Sequence, residues 1–135
     1  MDLAAVVDRL RTERAEFVSE WVAHWFPPGA QRPLIDWAIR QILDASPFID
    51  GHFPMFTTYD PRPRLGSLEV PIAYLHGELD PEIPASMAAE CAQVTPRATV
   101  RIIPASGHVP HQEQPAAFNT ALRGALDDLR DAADA

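Results

Sequence analysis

Apolar residues recur at three- and four-residue steps through the first 26 positions: Leu3, Val7, Leu10, Phe17, Trp21 and Trp25, with Asp, Arg and Glu between them. This spacing predicts one amphipathic helix over 2–26. Asp2 is suited to cap its start, and Pro27-Pro28-Gly29 ends it. A second helix is expected over roughly 33–45, with Pro33 at its first position and Leu34, Ile35, Ala38 and Ile42 on its apolar face. Ser46-Pro47 reads as a new cap and first turn. The stretch from Phe48 to Tyr59 is broken by Gly51 and Pro54, and predicts a short irregular helix with an aromatic face.

The pattern then changes. Asp60 to Leu65 holds two prolines and is expected to be an extended linker. Beyond it come a short apolar strand over 70–76, a helix over 84–94, a second strand over 99–103 and a last amphipathic helix from Pro115 to about Asp131. Strand–helix–strand–helix is the sign of a parallel α/β unit. The fold class is therefore α/β, with a helical region over 1–60 followed by an α/β region over 61–135. Two parallel strands alone leave unpaired edges, which proteins pair or cover. A partner is expected, either a second copy of the chain in a homodimer or a separate chain that pairs the sheet edges.

Composition narrows the functions. At 135 residues, length argues for one compact unit. Nineteen acidic against 11 basic residues leave a net charge of −8, which disfavours nucleic acid and anionic membranes as partners. Every basic residue is Arg, so no lysine Schiff base can form within these residues. Cys91 stands alone, which excludes an intramolecular disulfide and a zinc–cysteine cluster. The charged first twenty residues do not read as a signal peptide. No apolar run approaches the ~20 residues of a membrane helix. A cytoplasmic protein without cofactor is the expectation.

The candidate chemistry lies in two loops, each after a predicted strand. One is His76-Gly77-Glu78-Leu79-Asp80; the other ends in Gly107-His108. A carboxylate and an imidazole at the carboxyl ends of parallel strands are two members of a Ser-His-Asp set. The third is missing, since these residues hold no Gly-x-Ser-x-Gly. Ser106 stands too close to His108, and Cys91 sits on an Ala-rich helix face, so neither suits a nucleophile. His111 with Glu78, Asp80, Glu82 and Glu113 offers a weak metal pattern, because Pro110 breaks any helical spacing; no metal is expected. His76 is expected to be a hydrogen-bonding histidine in a turn. Trp21 and Trp25 are expected in the helical core, whereas Phe53, Phe56 and Tyr59 are free to line an apolar substrate pocket.

The run Leu65 to Pro81, containing Val70-Pro71-Ile72-Ala73-Tyr74-Leu75-His76-Gly77-Glu78-Leu79-Asp80, resembles the penultimate strand and acid loop of α/β-hydrolases. Ile102-Ile103-Pro104-Ala105-Ser106-Gly107-His108 with Glu113-Gln114-Pro115-Ala116-Ala117-Phe118-Asn119 resembles their last strand, histidine loop and final helix. More weakly, Arg14-Ala15-Glu16-Phe17, the Pro33 helix and Asp60 are similar to the cap of the esterase and cofactor-free haloperoxidase branch. The resemblance implies a truncated α/β-hydrolase-like fold, a helical cap followed by β-α-β-α, with Asp80 and His108 as acid and base. The part of the family that carries the nucleophile elbow has no counterpart here.

Three functions follow. The first is an enzyme acting on a small apolar molecule by Asp80–His108 acid/base chemistry without a serine, as a lyase, cyclase, isomerase or residual hydrolase. The second is half of a split serine hydrolase, completed by a partner chain. The third is a non-catalytic binding or interaction protein.

Overall fold

A computed structural model describes residues 3–52, 55 and 59–133. They form two compact units: residues 1–24 with 30–60, and residues 25–29 with 61–135.

In the first unit the opening helix is divided, against the single helix expected, into α1 (Leu3–Thr12) and α2 (Arg14–His24). The chain bends at Glu13 without losing its ladder, because Glu13 N–H still donates to Arg9 O at 2.8 Å and Phe17 N–H to Glu13 O at 2.9 Å. Thr12 Oγ1 donates back to Asp8 O at 3.0 Å, a side-chain bond that bends helices. Arg9 spans the bend, reaching Glu20 at 3.0 Å and lying over the Phe17 ring. Helix α3 (Arg32–Asp44) starts with a proline in its first turn, as predicted. Val6, Leu10, Val18, Val22 and Ala38 make the core of this unit.

The carboxyl end of α3 is closed by a side chain from α2. Arg14 donates to the carbonyls of Ile42, Leu43 and Ala45 at 3.0–3.2 Å, and its Nε to Asp50 Oδ2 at 2.7 Å. One guanidinium thus supplies donors to the carbonyls at the helix end, of which Ile42 O also accepts from Ala45 N–H, and neutralises the buried Asp50. Asp50 lies in a 3-10 helix, Pro47–His52.

In the second unit the expected linker turns out to be partly helical. Arg62–Leu65 forms a single turn, α4, held by Arg64 N–H to Pro61 O at 2.9 Å. Prolines in a first helical turn lack only N–H groups that no carbonyl awaits, so they start a turn instead of opposing it. Strand β1 (Ile72–Gly77) follows, then α5 (Ala85–Val94), β2 (Ala98–Ile103), the short α6 (Pro110–Glu113) and α7 (Pro115–Ala133).

The strands pair in parallel, Ile72 opposite Ala98 through Gly77 opposite Ile103. Helices lie on both faces. Tyr74 Oη meets Thr95 at the end of α5, while Arg101, one residue later in register, pairs with Asp128 of α7. Ile72 and Glu78 turn their N–H groups toward β2, accepted by Arg97 O and Ile103 O. By alternation, Ala73 and Leu75 direct theirs to the other side, where no described strand pairs with β1. No described helix is long and apolar enough to cross a membrane.

Candidate functional site

The ends of β1 and β2 bring two loops into contact. Gly77 allows this: a Cβ there would run into the Gly107 carbonyl oxygen. Glu78 N–H donates to Ile103 O at 3.0 Å and Leu79 N–H to Ser106 O at 2.8 Å. Glu78 Oε2 accepts from Ala105 N–H at 3.0 Å. The two loops are therefore one hydrogen-bonded piece, and each orients the other.

Asp80 is set in this piece with its side chain 4% exposed. Its Oδ1 accepts from the N–H groups of Glu82 at 2.9 Å and Ile83 at 3.0 Å. Its Oδ2 lies 2.9 Å from His108 Nδ1. Burial alone pushes the Asp80 carboxyl up, but the Ile83 N–H, the His108 ring and the Glu82 N–H outweigh it, and the net direction is below the usual carboxylate value. An ionised Asp80 only accepts, so His108 Nδ1 carries a proton. Nε2 then holds the basic lone pair, and no described residue hydrogen-bonds to it.

His108 is fixed from its backbone as well. Its N–H donates to Trp25 O at 2.9 Å, and the Trp25 ring packs on the imidazole at a centroid distance of 5.2 Å. Trp25 was expected in the helical core; it belongs instead to the unit of His108. Glu113 holds the loop from below. Its carboxylate accepts from Gly107 N–H at 2.9 Å and Val109 N–H at 3.2 Å, the N–H groups of the residues on either side of His108. Nothing in the spacing marks Trp25 or Glu113 for these tasks, since both contacts are tertiary.

Of the aromatics expected at a substrate pocket, Phe53 and Phe56 lie outside the described residues. Tyr59 is 60% exposed and belongs to the first unit. That unit has a surface cleft of about 430 Å³ between Val7, Leu10, Pro47 and Phe48. Its Arg14–Asp50 pair is committed to closing α3. Ser106 is fully buried, its Oγ donating to Ile103 O at 3.0 Å, which makes it part of the turn. Among the described residues no group of three or more His, Cys, Asp or Glu side chains could hold a metal ion.

A family model described as "Alpha/beta hydrolase family" matches residues 2–121. Among solved structures, a thermophilic esterase from Thermogutta terrifontis is 25% identical with a TM-score of 0.82, over 95% of this chain and 49% of that one. An esterase from Exiguobacterium antarcticum is 19% identical with a TM-score of 0.79, over 91% and 46%. A bromoperoxidase from Bacillus anthracis is 20% identical with a TM-score of 0.79, over 93% and 48%. The chain spans about half the length of these structures. No curated protein gives a significant match.

Proposed function

The chain belongs to the alpha/beta hydrolase family, and from that premise we propose that it carries the acid–base part of an ester-hydrolysing site, completed by a serine outside these 135 residues. The observation that carries the reading is His108, held through Nδ1 on Asp80 at 2.9 Å with Nε2 open. In this reading Nε2 takes the proton of a serine hydroxyl as its oxygen attacks the ester carbonyl. The imidazolium that forms is stabilised by Asp80, then returns the proton to the leaving alcohol. Water repeats the sequence to release the acid. The substrate is a small, mostly apolar ester, in keeping with the Trp25 ring beside His108.

Two further observations favour completion by another hydrolase part. The β1 edge presents the N–H groups of Ala73 and Leu75 to no described strand. On α7, Leu122 and Leu126 stay exposed, on the flank opposite Gly124 and Asp128, which meet Arg101 of β2. An open edge with apolar side chains beside it suits a further strand and its neighbours.

Hydrolysis of p-nitrophenyl butyrate tests the reading. The 135-residue chain alone is expected to be inert, and the assembly it forms in its source cells active. His108→Ala should lower that activity by about 10²–10⁴-fold. Turnover by the chain alone, dependent on His108, would favour nucleophile-free proton transfer. An active assembly indifferent to His108→Ala would leave a binding role.

A further inference from the structure

We propose that His76 is a second imidazole on Asp80, a positioning residue that sets how strongly Asp80 supports His108. The inference rests on the reading of His108 as the base. Asp80 Oδ1 is fully engaged by the N–H groups of Glu82 and Ile83. Its Oδ2 has two imidazoles beside it, His108 Nδ1 at 2.9 Å and His76 Nε2 at 3.4 Å. His76 stands in β1, opposite Ile102, with its side chain 16% exposed.

The tautomer follows from a second contact. His76 Nε2 is 2.8 Å from the Ile83 carbonyl oxygen, which can only accept, so Nε2 carries a proton in both charge states. The same residue, Ile83, gives its own N–H to Asp80 Oδ1. His76 therefore clamps the turn that orients the carboxylate, and the proton that comes and goes is on Nδ1. Among the described residues Asp80 is the one charged partner within ion-pair distance of His76; Glu90 of α5 and Arg101 of β2 do not reach it.

Charge on His76 then matters to His108. A neutral ring leaves Asp80 to His108. A protonated ring puts a positive charge beside the same oxygen and opposes a second positive charge on His108. The two rings therefore share one carboxylate oxygen, His108 at 2.9 Å and His76 at 3.4 Å, and charge on one bears on the other through it.

The test is the pH titration of the His108 ring proton by NMR, with the full chain in the assembly it forms. The wild-type signal should move in two steps. His76→Gln keeps an N–H donor for Ile83 but cannot titrate, and should give one step. In the active assembly the same variant should reduce the low-pH limb of turnover from about two protons to about one. A single-step wild-type curve overturns the proposal, whether or not the variant folds. So does a two-step curve that persists in His76→Gln. The titration needs no turnover, so it decides the role of His76 even if the hydrolase reading fails.

Discussion

A carboxylate with 4% exposure is stable in ionised form only because two backbone N–H groups and an imidazole surround it. The depressed Asp80 group makes folding sensitive to acid. Its contribution is whole above the ordinary value of 3.8 and is lost as pH falls below that through the lowered one. Acid unfolding followed by circular dichroism should therefore be less steep in Asp80→Asn; an identical acid limb would contradict this. Glu113→Ala should leave the Gly107 and Val109 N–H groups without acceptors, at about 1–3 kcal/mol. The urea midpoint should fall accordingly, and the His108 ring signals should broaden. The pairing of Asp80 with His108 was legible in the sequence because each follows a strand in a short, recognisable loop. Trp25, Glu113 and the double use of Asp80 were not, because each depends on contacts between distant segments.

Helices and strands are where local pattern speaks most directly. Both strands, α3, α5 and α7 lie within a few residues of their predicted bounds, because their apolar periodicity agrees with what the tertiary structure buries. The bend at Glu13 and the turn Arg62–Leu65 departed from expectation for reasons that periodicity does not register. One is a threonine bonding back to the preceding turn; the other is prolines placed where a helix tolerates them. The closure of α3 by Arg14 is also an element-scale device. Arg14→Ala would remove the partner of Asp50 and the side-chain donor to the Leu43 and Ala45 carbonyls, while Ile42 O keeps the Ala45 N–H. A loss of about 3 kcal/mol is expected, read as a lower denaturation midpoint. An unchanged midpoint would mean that water replaces the guanidinium at no cost.

At the scale of the whole molecule, the described sheet has two strands, and the chain spans about half of each structure it resembles. The family was legible from the acid and histidine loops; a neighbour for the free β1 edge was not, because among the described residues no further strand pairs with it. We predict that the folded chain is not a monomer: sedimentation at micromolar concentration should give a mass well above 14.9 kDa, and a folded species at that mass would contradict the prediction. The central claim is that His108, held by Asp80, is a base that serves a serine outside these residues. Fluorophosphonate labelling of the native assembly, with the labelled peptide identified by mass spectrometry, tests it most directly. The account predicts one labelled serine outside these 135 residues, reacting about 10²–10⁴-fold more slowly in His108→Ala. A labelled serine within this chain, or labelling unchanged by His108→Ala, would contradict it.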